Sequence, residues 1–103
     1  MTHIKETDIT RNIQKLLREH GALPVKFFGG LYAKKGISDL LVCFQGRYVA
    51  IEVKRPGGKV SPEQAQFLQA VRQHGGLAFV AYSPDDVVRE LGLPSLFNNQ
   101  ARL

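Results

Sequence analysis

The chain has one cysteine, Cys43, among its 103 residues. A single thiol cannot close an internal disulfide. With only three histidines beside it, His3, His20 and His74, it offers no Cys/His set for a structural zinc ion. Those histidines share no spacing with any acid and read as solvent-exposed residues at helix ends. No apolar run approaches the ~18 residues that a membrane-spanning helix requires. The opening Met1-Thr2-His3-Ile4-Lys5-Glu6 lacks the apolar segment of a secretory signal. There is no internal repeat and no low-complexity stretch. Acidic residues are also scarce: 9 Asp+Glu stand against 14 Lys+Arg, a formal net charge of +5. These absences describe a small protein expected in the reducing cytoplasm, with no membrane partner and a charge surplus that suits a polyanion.

What remains is ordinary globular material. Hydrophobic residues make up 44% and charged residues 22%, which excludes a disordered chain. The length fits one domain, expected over residues 1–92, with 93–103 as a tail without a clear signal. Ile9, Ile13, Leu16 and Leu17 recur at helical spacing, so residues 3–20 predict a helix with Thr2 as its cap and Gly21 as its end. Val25-Lys26-Phe27-Phe28 predicts a short strand broken by Gly29-Gly30. Leu40 to Phe44 is too short for a helix and right for a buried strand, and Gln45-Gly46 is a turn signal. Arg47 to Lys54 is rich in strand formers. Ser61-Pro62-Glu63-Gln64 starts a helix with a cap, a proline at the first position and a glutamine three residues after the cap. That helix runs to about His74. Leu77 to Tyr82 predicts another strand. Ser83-Pro84-Asp85-Asp86 repeats the cap chemistry for a short helix ending near Gly92. The order is α-β-β-β-α-β-α, an α/β fold with a small mixed sheet flanked by helices.

Two acids sit where a surface charge does not belong. Asp39 opens an apolar strand and Glu52 lies inside one, where a charge costs several kcal/mol unless paired or bound to metal. If Gln45-Gly46 is a two-residue hairpin turn, Phe44 faces Arg47, and Asp39 falls directly opposite Glu52. Like charges so opposed repel unless something positive lies between them. Lys54 projects from the same face as Glu52, because strand residues alternate. Two carboxylates beside an ammonium suit Mg²⁺ or Mn²⁺, which take oxygen ligands and keep waters for a substrate phosphate. Glu6 falls on the apolar stripe of the first helix, three residues before Ile9 and seven before Ile13, and is a further metal candidate. Lys34, Lys35, Arg55 and Lys59 flank these acids and are candidate DNA-phosphate contacts.

Each residue also has a plainer reading. Gly36-Ile37-Ser38-Asp39 is good turn chemistry, Glu52 and Lys54 could be an edge-strand ion pair, and Glu6 a first-turn acid complementing the helix dipole. Gln64 completes a capping box with Ser61 and lies on the helix face of Phe67, Leu68 and Val71, so structural and functional roles are both open to it. Cys43 reads as a small core residue.

Gly36-Ile37-Ser38-Asp39, the apolar strand, Ile51-Glu52-Val53-Lys54-Arg55-Pro56 and Ser61-Pro62-Glu63-Gln64 together resemble the VRR-NUC family, a branch of the PD-(D/E)xK nucleases. The resemblance runs from about Glu6 to Tyr82, with Ser38 standing where the superfamily name has proline. It implies a restriction-endonuclease-like core. It implies Asp39 and Glu52 as metal ligands, the Val53 carbonyl as a further ligand, Lys54 as the catalytic lysine, and matching roles for Glu6 and Gln64. Stand-alone members of the family are homodimeric, metal-dependent nucleases that cut branched DNA, notably four-way (Holliday) junctions. The chain is therefore expected to hydrolyse phosphodiester bonds in such DNA. Phe27, Phe28, Leu31 and Tyr32 are candidates for a dimer interface or for the core. The alternatives are a flap or nicking nuclease of the same fold, a restriction-type subunit that needs a partner, and a DNA-binding module without chemistry.

Overall fold

A computed structural model describes residues 4–27 and 36–94. Seven elements follow in the expected order: α1 (Glu6–Glu19), β1 (Leu23–Lys26), β2 (Leu40–Phe44), β3 (Arg47–Val53), α2 (Pro62–Gln73), β4 (Leu77–Ala81) and α3 (Pro84–Leu91). The strands form one sheet in the order β1-β2-β3-β4. β1, β2 and β3 run antiparallel, and β4 joins β3 in parallel after the α2 crossover. No helix among the described residues is long and apolar enough to cross a membrane.

The hairpin between β2 and β3 sets the register of the sheet. Gln45 and Gly46 have φ of 51° and 76°, the paired positive values of a type I′ turn. Phe44 then faces Arg47, and the pairing runs to Leu40 opposite Ile51. Side-chain alternation divides the sheet into two faces. Leu40, Val42, Phe44, Val49, Ile51, Val53, Phe79 and Ala81 meet Ile9, Ile13 and Leu17 of α1 and Val87 of α3. The other face carries Ala50 and Ala78, small enough for α2 to seat Leu68 and Val71 on them.

Several local expectations are corrected. α1 begins at Glu6, not near residue 3, and its N-cap is Lys5, which makes no side-chain cap bond. Thr2 lies outside the described residues. Glu6 and Asp8 in the first turn complement the helix dipole instead. β1 is shifted back from 25–28 and includes Pro24. β1 is an edge strand, and Pro24 pairs with Val42, whose own backbone groups turn toward β3. The missing N–H of Pro24 therefore points to the open edge, where the ladder loses nothing. At α3 the Ser83 side chain does not cap; Asp86 Oδ2 accepts the Tyr82 N–H at 2.8 Å instead. Leu93 is buried in the core, and residues 95–103 lie outside the described set.

Two further residues differ from expectation. His20 is not a free surface residue: its ring meets the carbonyls of Leu16 and Pro94. Cys43 is exposed rather than buried. α2 covers β3 and β4, and the α2 face of β1 and β2 near the hairpin stays bare, leaving Leu23, Val25 and Tyr48 open to solvent.

Candidate active site

The antiparallel ladder brings Asp39 and Glu52 together. They occupy the next positions beyond the Leu40–Ile51 pair. A two-residue turn makes its flanking pair hydrogen-bonded, and alternation makes 39 and 52 a non-hydrogen-bonded pair, where opposed side chains approach most closely. Asp39 Oδ2 accepts the Val53 N–H at 3.0 Å, which fixes its carboxylate against β3. Glu52 is 1% exposed. Its Oε2 lies 3.5 Å from Lys54 Nζ and accepts from Gln64 Nε2 at 2.9 Å. Its Oε1 is buried without a hydrogen-bond partner.

The electrostatics follow. Burial and the neighbouring Asp39 charge push the Glu52 carboxyl up to about 7, against the opposing pull of Lys54. The pair therefore holds a proton near neutrality that two isolated carboxylates would have released.

Gln64 serves two structures at once. Its Oε1 accepts the Ser61 N–H at 2.9 Å and its own N–H goes to Ser61 Oγ at 3.1 Å, a complete capping box. Because the carbonyl end must face the Ser61 donor, the amide nitrogen is left facing Glu52. The cap of α2 thus orients the amide that holds the buried acid. The loop carrying Asp39 is seated by Gly36, at φ 90°, where a Cβ would come within 2.6 Å of the Glu63 carbonyl oxygen. Ser38, at the superfamily's proline position, is buried and donates to the Leu40 carbonyl at 3.1 Å, bracing the start of β2.

The VRR-NUC domain profile matches residues 5–85. The chain belongs to the VRR-NUC family. A solved VRR-NUC domain superposes with a TM-score of 0.73 at 25% identity, covering 87% of this chain and 97% of that one. A second solved structure, a VRR-NUC domain protein, shares the fold with a TM-score of 0.71 at 16% identity, over 89% and 88% of the two chains. The chain matches no curated protein. A four-stranded mixed sheet flanked by three helices is thus the VRR-NUC, nuclease-type fold.

Within that fold the expected residues separate. Asp39, Glu52, Lys54 and Gln64 converge. Val53 enters through its backbone N–H, while its side chain is buried in the α1 face. Glu6 does not join the pair: among the described residues no three His, Cys, Asp or Glu come together as a metal cluster. α1 packs on the sheet face opposite Gln64, and Glu6 is half-buried in its first turn. Arg55 and Lys59 are exposed on the segment that leaves Lys54. Lys34 and Lys35 lie outside the described residues, as do Phe28, Leu31 and Tyr32. Phe27, expected at an interface or in the core, is half-buried beside Asp39, donating its N–H to the Asp39 carbonyl at 2.8 Å. Extending the strand register would have placed Phe27 there from sequence.

Two outcomes follow. In chelator, Glu52 is protonated in both folded and unfolded states below pH about 4.5 and ionised in both well above about 7. Between those values only the folded state holds the proton, so its stabilising contribution is lost as pH rises through the window. Thermal melts of wild type should show this decline, and Glu52→Gln should lack it; identical pH profiles would refute the raised carboxyl. Gln64→Glu keeps a capping box but sets a carboxylate against Glu52. Denaturant unfolding at neutral pH should show a loss of about 1–3 kcal/mol that shrinks on acidification. Wild-type stability at neutral pH would show that the amide does not hold Glu52.

Proposed function

We propose that this chain is a divalent-metal-dependent endonuclease that hydrolyses phosphodiester bonds in branched DNA, four-way junctions included. The observation that carries the reading is a buried acid with one oxygen held and one oxygen free. Glu52 Oε2 is taken by Gln64 and Lys54, while Oε1 has no partner and Asp39 stands opposite. Such an arrangement fits a cation better than it fits an empty cleft. The donor atoms are carboxylate oxygens, which suits Mg²⁺ or Mn²⁺. Asp39 and Glu52 would hold the ion, with the Val53 carbonyl as a further oxygen. Glu6 would enter only through a water or a rearrangement of its side chain. When bound, such an ion neutralises phosphate charge and lowers the pKa of a water.

The chain's own residues supply the rest. Lys54 is largely buried, and its ammonium, near Glu52 Oε2, can orient an attacking water and offset charge that develops on the phosphate. Gln64 keeps the Glu52 carboxylate from rotating. Arg55 and Lys59, with Lys34 and Lys35, would contact phosphates on either side of the cut. Such contacts fix position without reading sequence, and no element among the described residues resembles a base-reading helix. The retention of Asp39, Glu52 and Lys54 together in one place favours chemistry over a bare binding module. A homodimer would present two sites to a junction with two strands to cut. The bare strip of Leu23, Val25, Cys43 and Tyr48 supports such an association.

Labelled duplex, flap, splayed and four-way DNA incubated with Mg²⁺, Mn²⁺ or EDTA tests the reading. Cleavage of the branched substrates should need metal and should fall roughly a hundredfold or more in Asp39→Asn and Lys54→Met. Wild-type cutting by Asp39→Asn, or cutting in EDTA, would overturn it. Solution mass should be that of two chains.

A further inference from the structure

The side chains of β4 alternate between the two cores. Ala78 and Val80 pack on the α2 side, and Phe79 and Ala81 on the α1 side. Strand alternation carried one residue past Ala81 assigns Tyr82 to the α2 side, the side of the acids. The β3–β4 pairing ends at Val53 and Ala81, and its last rung is the Lys54 N–H donated to the Ala81 carbonyl at 3.0 Å. Lys54 and Tyr82 are the residues that follow this last pair, on two strands spaced about 4.8 Å apart. Tyr82 is 40% exposed. Its main chain is nevertheless held, with the N–H donated to Asp86 Oδ2 at 2.8 Å. An aromatic ring is thus presented to solvent from a fixed backbone, one strand from the lysine nearest the buried acid. Arg55 and Lys59, on the segment that follows Lys54, are exposed cations nearby in the chain.

A ring in that setting suits the face of a nucleobase. Bases inside a duplex are stacked on one another and have no free face. A base at a branch point or in a single strand does, and aromatic side chains take such bases by stacking, whatever their sequence. We infer that Tyr82 is a stacking platform for the unpaired base of a nucleotide flanking the phosphate to be cut. The inference rests on the nuclease reading above and deepens it: the site would prefer branched DNA to duplex because a branch point supplies a free base beside a cleavable phosphate. Tyr82 would touch the substrate but not the reacting atoms, and would act on binding more than on the chemical step.

The test uses the whole chain and splayed-arm or four-way DNA carrying 2-aminopurine in place of single bases flanking the branch. Binding is followed in EDTA by fluorescence, and cleavage separately with Mg²⁺. In wild type, one 2-aminopurine position should change its emission on binding. Tyr82→Ala should lose that signal and weaken binding of branched DNA roughly tenfold, with little change for duplex. In cleavage, KM should rise while kcat holds. Tyr82→Phe and Tyr82→Trp should restore both, because the ring and not the hydroxyl is needed. Melting curves check that Tyr82→Ala folds; if it does not, the Phe and Trp variants carry the comparison through the same fluorescence signal. Unchanged binding and emission in Tyr82→Ala would overturn the proposal and leave the nuclease reading standing. A loss in Tyr82→Phe equal to that in Tyr82→Ala would overturn it in favour of a hydroxyl contact. Binding and stacking without any metal-dependent cleavage would instead refute the nuclease reading and leave the platform in place.

Discussion

Two carboxylates face each other across the open end of a hairpin, and the surroundings of both are arranged around that opposition. The type I′ turn at Gln45-Gly46 fixes the register five pairs away, so Asp39 and Glu52 cannot avoid one another without unpairing β2 from β3. Burial of Glu52 makes the repulsion worse, since a low-dielectric setting screens little. A Lys54 ammonium, a Gln64 amide and a raised carboxyl together relieve it in the metal-free chain. One oxygen of Glu52 remains unsatisfied even so. A fold selected for stability alone would have placed apolar residues there, since replacing buried charges with well-packed apolar side chains is often neutral or favourable.

α2 ties this site to the stability of the molecule. Its first turn caps the helix through Ser61 and Gln64, and the same glutamine holds the buried acid. The backbone of that turn also leaves room only for a glycine at position 36, where the loop to Asp39 passes. The helix start, the loop and the hairpin end are thus one unit. A disturbance at any of the three is felt at the carboxylates, although only two of the participating residues are acids. The far side of the sheet, filled by α1 and α3, supplies most of the apolar burial and none of the converging polar groups.

How much of this could be read from sequence depended on how local each determinant was. The Asp39–Glu52 opposition was legible because a two-residue turn and strict alternation determine it. The dual role of Gln64 was visible as two compatible readings, one from the capping pattern and one from the helix face. Cys43 was misread because its apolar neighbours suggested a covered strand; whether a helix covers β2 depends on where α2 lies, which no local pattern encodes. Thr2 and Ser83 looked like caps, but capping depends on backbone dihedrals at the helix start, and those placed Lys5 at one start and passed the work near the other to Asp86. The strand expected at 25–28 lies at Leu23–Lys26 and takes in Pro24, which only the edge position of β1 makes free of cost. Glu6 was assigned from an apolar stripe, and among the described residues it does not cluster with the two acids. The side chain of Tyr82 drew no attention because its place past the end of the β3–β4 pairing is a long-range feature.

The central claim is that Asp39 and Glu52 form a cation site whose occupancy expels a proton. Calorimetric titration of the chelator-treated protein with Mn²⁺, in two buffers of different ionisation enthalpy, tests it most directly. Binding near pH 6.5 should release close to one proton, because Glu52 must ionise to bind, and the release should vanish by about pH 8.5. Asp39→Asn and Glu52→Gln should each abolish the titration. Undiminished Mn²⁺ binding in either variant, or binding with no pH-dependent proton release, would contradict the account.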